Sequence, residues 1–337
     1  LPPAVPMRLR PSPPPPPPPA ALTRRIRSTS PAAGDKRARS PSDDLRVVQA
    51  QRTSTTSRPK AHDFDDITQE ALAVAIKVYR CFCAGRHAFP DHTLEVSWVC
   101  EAWALACRKV NINMELTPTL TKLITKRGTH LRGEVKTKAR PIVELQFGFK
   151  RVYINGQNKS TIKHNRDWAE ELTTDLTFTF LDPKARKGMY KSTAIQKLTN
   201  AVFFANRRDE GPTFPEYFNP FPKPAMALIL TALHNSIDEW NTGIRADTPF
   251  TANEYRDVYE KHLKALNKFD SHTAKYAILP SIQARLYNTG RFHSGAEPLV
   301  FPKPDIRMSD LEAAIEEFDE DATDTEGEYG AGSDEDN

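Results

Sequence analysis

Six side chains able to ligate a metal gather in one stretch of this 337-residue chain: Cys81, Cys83, His87, His92, Cys100 and Cys107. Their types suit zinc, but their spacing does not. Two residues apart on a helix, Cys81 and Cys83 point about 200° away from each other. No Cys-x-x-Cys pair of the structural-zinc kind is present. Cys100 and Cys107 stand one heptad apart, as residues of a buried stripe do. A free cysteine packs as a small hydrophobe, so the expectation is four buried thiols, no metal and no cofactor. The N-terminus is rich in Pro and Arg and lacks the apolar core of a secretory signal, which also argues against disulfides.

Other chemistry is equally poorly supported. The chain has no nucleophile elbow, no phosphate-cradling glycine loop, no dinucleotide fingerprint and no His-Glu-x-x-His. Glu170-Glu171 and Glu316-Glu317 are adjacent carboxylates that diverge on a helix and read as solvated. His164 near Asp167 reads as a surface contact. The aromatic group Phe214, Tyr217, Phe218 and Phe221, set among prolines, reads as a packed loop rather than a ligand cage. No catalytic residue is assigned, and the reading leans away from an enzyme.

A basic face is the better candidate. Residues 122–191 carry 16 basic and 7 acidic residues. If 118–140 is one helix, Leu120, Ile124, Leu131 and Val135 share one side. Lys122, Lys126, Arg132, Lys136 and Arg140 fall on the opposite arc, with His130. These five cations are the candidate contacts for phosphate or for an acidic partner, since such an arc can follow a phosphate backbone. Gly128 and Gly133 each cost a helix interior roughly 1 kcal/mol. Pro141 disfavours helical geometry at Arg140. A break at Gly128 would put the cations out of line. The competing reading is a solvated surface helix, possible partner of the acidic tail. No zinc-finger spacing or RNA-recognition aromatic motif accompanies the arc.

The elements that must position these residues are helices. Asp65 and Asp66 can cap a helix carrying Leu72, Ile76, Tyr79 and Cys83 on one face. Pro90-Asp91 opens a second, with Leu94, Trp98, Glu101/Ala102 and Leu105 in register. Thr117-Pro118 supplies an N-cap and a first-turn proline. Further helices are expected over 165–174, 192–206, 224–240, 251–269 and 278–288. Leu176–Leu181 and Arg151–Ile154 are the only strand candidates. The expected fold class is all-α, a single multi-helix domain over 62–300 with at most one or two very short strands.

Composition sets the flanks apart. With 39% hydrophobic residues and 28 prolines, one compact domain over the whole length is excluded. Residues 1–61 form a Pro/Arg-rich tail; half of all prolines lie in the first 60 residues, which carry net +9. Residues 301–337 form an acidic tail, with net −13 over 305–337. Both are expected to be disordered. Pro13–Pro19 should populate polyproline II. In the acidic tail, Ser309 and Glu312 resemble a capping box before Leu311, Ile315 and Phe318, so a short helix is expected at 309–318. Arg24-Arg25 and, ten residues on, Lys36, Arg37 and Arg39 suit a bipartite nuclear import signal. Ser30-Pro31 and Ser40-Pro41 beside it are candidate phosphosites. No apolar run reaches transmembrane length, the longest being Ala225–Leu233. The chain begins with Leu1 rather than Met, as a fragment or an imperfect gene model would.

Several blocks occur in an order that resembles a known family. They are Ala88-Phe89-Pro90-Asp91, the basic run 120–141, Phe147-Gly148-Phe149, Gly188-Met189-Tyr190, Phe203-Phe204, Tyr217-Phe218-Asn219-Pro220, Asp238-Glu239-Trp240, and Phe250, Tyr255, Tyr259 and His262-Leu263. Over about 64–290 the sequence is similar to domain of unknown function 6532 of mushroom-forming basidiomycete fungi. The resemblance implies a fungal lineage and a helical domain. It brings no catalytic residue to carry over. The expected activity is that of a non-enzymatic nuclear interaction module with an unidentified protein partner. A nucleic-acid-binding protein using 122–191 is the alternative, and an enzyme of unknown reaction a distant one. The expected location is the nucleus, otherwise the cytoplasm, with no membrane.

Overall fold

The computed structural model describes residues 49–53, 59–152, 159–297 and Glu312. The import residues Arg24, Arg25, Lys36, Arg37 and Arg39 and the proline run lie outside the described residues, as does most of 309–318, where Glu312 alone is described and is helical.

Ten α-helices are described: α1 (Asp66–Gly85), α2 (His92–Val110), α3 (Pro118–Phe147), α4 (Lys159–Thr173), α5 (Thr193–Phe203), α6 (Glu210–Thr213), α7 (Pro215–Phe218), α8 (Lys223–Asp238), α9 (Ala252–Thr273) and α10 (Ile278–Ser294). The fold is all-α: the described residues form no sheet, only the isolated bridges Arg52–Phe64 and Asp182–Lys187.

Local chemistry explains where the first three helices start. The Asp65 carboxylate accepts from the Thr68 amide at 3.0 Å, and Asp91 does the same for Leu94 at 2.8 Å. Thr117 accepts from Leu120 at 3.3 Å. Each satisfies an amide that the first turn leaves without an intrahelical partner. Asn111 and Gly148, both left-handed, end α2 and α3.

Thirty residues long, α3 runs through both glycines and Pro141 without a break. Gly128 is buried against α1; a Cβ there would lie 3.4 Å from Tyr79 Oη and 3.5 Å from Cys83 Sγ. These are ordinary van der Waals distances, and the buried stripe on either side of Gly128 carries α3 through it. Pro141 and Thr137, whose carbonyl it leaves without an amide donor, are on the exposed side. The predicted stripe of Leu120, Ile124, Leu131 and Val135 is buried and continues through Ala139 and Val143.

At the centre lies α8. Every residue from Ala225 to Leu233 is buried, and the helix packs on α1, α3, α4, α5 and α9. Among the described residues no helix is long and apolar enough to cross a membrane. The apolar run is therefore core. The aromatic group reads as packing too: Phe214, Phe218 and Phe221 are buried, and Phe218 and Phe221 meet Phe203 and Phe204 at ring separations of 5.2–6.4 Å.

Two local expectations are corrected. Leu176–Leu181 is not a strand; most of it lies in a 3-10 segment, Thr174–Thr179, entered through positive φ at Asp175 and Leu176. Its alternation does not sort side chains into two faces, since Thr177, Phe178, Thr179 and Phe180 are all buried. Of the other strand candidate, Arg151–Ile154, Arg151 and Val152 are in no strand and the remaining two residues lie outside the described residues. On α2, Leu94, in the first turn, is exposed although Trp98 and Ala102 are buried, and Glu101 beside them is exposed too.

Candidate functional site

Cations along α3 divide into two groups. Lys122 and Lys126, on the first half, are exposed and make no ion pair among the described residues. Beside them His130 Nδ1 lies 3.5 Å from Arg127. Burial, then the positive charges of Arg127 and Lys126, push the His130 imidazole below its ordinary pKa. Among the described residues, that end of the helix is a positive surface with no carboxylate paired to Lys122 or Lys126.

On the second half the cations turn inward. Arg132 donates to the Ala88 carbonyl at 3.0 Å and to Thr129 Oγ1 at 3.2 Å, and its guanidinium sits 5.2 Å from the Phe89 ring centre. Lys136 and Arg140 meet at Glu239. Arg140 donates to both Glu239 oxygens, at 2.6–3.1 Å, and Lys136 Nζ is 3.7 Å away. Arg245 adds a third cation at 3.1 Å. From Lys122 to Arg140 the helix rises roughly 27 Å, so the five predicted contacts are not brought together at one point.

Glu239 is held by the chain's local course. It follows the last residue of α8, and its carbonyl accepts from the Ala246 amide at 2.8 Å, folding the loop back. Its side chain is 1% exposed. A buried carboxylate needs compensating charge and hydrogen bonds, and the inward arc of α3 supplies them. Outside it, Asp247 bonds Lys136 at 2.9 Å and contacts Arg140. Glu144 takes Arg151 at 2.6 and 2.9 Å and Arg245 at 3.4 Å. Burial and the neighbouring Arg140 charge lower the Lys136 pKa; Glu239 opposes the shift. Glu239, Arg245, Asp247, Glu144 and Arg151 were not legible as a group. The one signal was a carboxylate just after a helix whose run Ala225–Leu233 is almost wholly apolar.

A second polar cluster joins α8 to α9. His234 Nδ1 and His262 Nε2 are 3.3 Å apart, and His234 Nε2 is 3.8 Å from Asp238. Tyr255 donates to the same carboxylate at 2.7 Å. His262 Nδ1 is buried without a partner. The assignment that orphans no donor puts the His234 proton on Nε2, facing Asp238. His262 Nε2–H then donates to His234 Nδ1.

A model of a domain of unknown function, DUF6532, matches residues 74–269, more than half of the chain. The chain belongs to the DUF6532 family. Neither a curated protein nor a solved structure matches it. The DUF6532 span holds both clusters and all of α3, while α10 lies beyond it.

Within the DUF6532 domain, the cysteines are free; Cys81, Cys83 and Cys107 are buried and Cys100 is exposed. The expected Cys100–Cys107 stripe is thus half wrong: Cys100 falls on the outer arc of α2. Burial pushes the Cys83 thiol up to about 12 and raises Cys81 well above its ordinary value, so neither is a nucleophile near neutral pH. His87 bonds Glu260 at 2.6 Å and His92 is exposed. Among the described residues, no three His, Cys, Asp or Glu side chains converge on a metal position. Asp167 is taken by Arg166 at 3.1 Å, while His164, Glu170 and Glu171 are exposed.

The histidine pair makes a pH prediction. Burial, then the neighbouring His234, depress His262 to about 3; burial also lowers His234. The groups facing the pair are Asp238 and Tyr255, with Phe178 at the ring edges and Lys261 acting at longer range. Because the unfolded chain takes up the proton first, stability contributed by neutral His262 is full above about pH 6.5. It falls by roughly 1 kcal/mol per pH unit as pH drops towards 3. Urea unfolding at pH 7 and pH 5 should show this loss in the natural chain and a smaller one in His262→Phe. Equal losses would refute the assignment.

Proposed function

We propose that this DUF6532 protein is a non-enzymatic nuclear interaction module whose open cationic surface binds an acidic protein partner. The observation that carries this reading is the uneven neutralisation of α3. Arg132, Lys136 and Arg140 are held by the protein itself. Lys122 and Lys126 are left to solvent on a helix whose opposite stripe is anchored in the core. Two exposed lysines beside Arg127 and His130 make a small patch, suited to a cluster of carboxylates more than to a long phosphate track. The nuclear part of the reading rests on Arg24, Arg25, Lys36, Arg37 and Arg39 in the sequence.

Nucleic acid binding is the competing outcome, and one experiment separates the two. Fluorescence anisotropy of the full chain is measured against a labelled oligoglutamate peptide, duplex DNA and single-stranded RNA, at low and moderate salt. Peptide binding should weaken with salt and drop roughly tenfold in the Lys122→Glu, Lys126→Glu variant. Preferential binding of DNA or RNA, with a steep salt slope lost in that variant, would install the nucleic-acid reading instead. Absence of binding to all three at low salt removes both.

A further inference from the structure

The Glu239 cluster gathers three cations around one buried carboxylate, and Asp247 and Glu144 are their other partners. Lys136, Arg140 and Arg245 converge on that one side chain. On their outer side is a cavity of about 380 Å³, lined by Arg140, Arg151, Arg245 and Asp247, with Ile244 as its exposed apolar side chain. Its size is at the lower end of small-molecule sites. Behind it Trp240 is buried, its indole stacked on Phe149 at a centroid distance of 4.8 Å and an interplanar angle of 10°, which gives the cleft a firm floor.

Donor capacity remains in this cleft. Arg140 uses Nε and Nη2 on Glu239 and Asp247, and Nη1 makes no hydrogen bond among the described residues. Arg245 uses Nε on Glu239 and Nη1 on Glu144, which leaves Nη2. Guanidinium groups held by carboxylates behind them cannot swing away, and a planar fork in a set orientation is what oxyanion recognition needs. Asp247 completes the picture. Its side chain is 72% exposed, yet its carboxylate rests on Lys136 and Arg140 at the mouth of the cavity. Little burial holds it there, so a carboxylate already stands where the oxyanion of a ligand would go.

We propose that this cleft binds a small organic oxyanion, a phosphate or carboxylate group on a compact apolar body, with Arg140 and Arg245 gripping the anion, the exposed Ile244 against the body, and Asp247 acting as the internal competitor it displaces. The site is separate from the exposed lysines of α3, so its fate does not depend on theirs.

Calorimetric titration of the full chain with phenyl phosphate, benzoate and inorganic phosphate tests it. Phenyl phosphate or benzoate should bind saturably and more tightly than inorganic phosphate. Asp247→Asn, at an exposed position, should tighten binding about fivefold by removing the competing carboxylate, and Arg245→Gln should weaken it about tenfold. The melting temperature of each variant is recorded alongside, and Asp247→Asn keeps the test valid should Arg245→Gln unfold. Absence of saturable binding of all three anions to both the natural chain and Asp247→Asn overturns the site. So does unchanged affinity in a folded Arg245→Gln. Equal affinity for inorganic and phenyl phosphate overturns the role of Ile244.

Discussion

Replacing Glu239 with alanine should destabilise the domain by about 3 kcal/mol or more, the range seen when one partner of a buried ion cluster is removed. The side chain is 1% exposed and receives Arg140, Arg245 and Lys136. Its loss leaves three cations facing one another, and the side chains of Lys136, Arg140 and Arg245 are themselves only 11%, 25% and 30% exposed. Part of the cost is recovered where the two arginines swing towards water, which keeps the effect short of a deep-core charge. Glu239→Gln keeps the volume and two polar atoms and should cost about half as much. Asp247→Ala removes a carboxylate from the same cations, but from a mostly exposed position, and should cost under about 1 kcal/mol. Urea midpoints for the three variants check the order. A Glu239→Ala loss no larger than that of Asp247→Ala would show that the hub is not holding the α3–α8 junction.

An equally large effect is expected from adding a single methyl group. Glycine to alanine inside a helix ordinarily gains up to about 1 kcal/mol of propensity. At Gly290 the sign should reverse. A Cβ there would lie 2.6 Å from Cδ2 and 2.7 Å from Cγ of Phe204. The ring has no retreat, because a Cβ on Gly211, from the other direction, would be 2.4 Å from its Cε1. Phe204 is fully buried and in contact with Phe218, Phe221 and Tyr287. Overpacking of this kind costs about 1–3 kcal/mol, and the clamp from two sides puts Gly290→Ala at the upper end. Shrinking the ring in the same chain, Gly290→Ala with Phe204→Leu, should recover part of the loss. Thermal unfolding of the single and double variants measures both. A Gly290→Ala protein as stable as the natural one would mean that α10 is not seated on that ring.

Much of the fold was legible because the signals are local. Asp65, Asp91 and Thr117 each sit one residue before a helix and bond its first turn, and the α3 stripe follows from a 3.6-residue period. The reading faltered where a tertiary partner decides. Gly128 weakens an isolated helix, but the buried stripe of Leu120, Ile124, Leu131 and Val135 packs on the rest of the protein and carries α3 through it. Phe178 and Phe180 alternate as a strand would, yet the turn at Asp175 and Leu176 forms a 3-10 segment. Of the five basic residues chosen on α3, periodicity placed all five on one arc. Only the position of Glu239, 99 residues from Arg140, decides that Arg140 and Lys136 turn inward while Lys122 and Lys126 do not. The family signature contained that residue, in Asp238-Glu239-Trp240, without indicating what it binds.

The position of α8 has a consequence for how the domain comes apart. A helix surrounded by α1, α3, α4, α5 and α9 has no exposed edge from which to fray. Its amides can meet solvent only when most of those neighbours have let go, so exchange there reports the opening of the domain as one cooperative unit. The neighbours differ in how much they tolerate. α10, which packs on α5, α6 and α9 and ends in an exposed Phe292, can loosen without uncovering α8. Loss of α3 cannot, because it takes with it both the apolar stripe against α8 and the cations that make Glu239 bearable in the interior. Subglobal opening is therefore confined to the periphery, and the boundary of the smallest piece able to hold its shape runs outside α3 and α8.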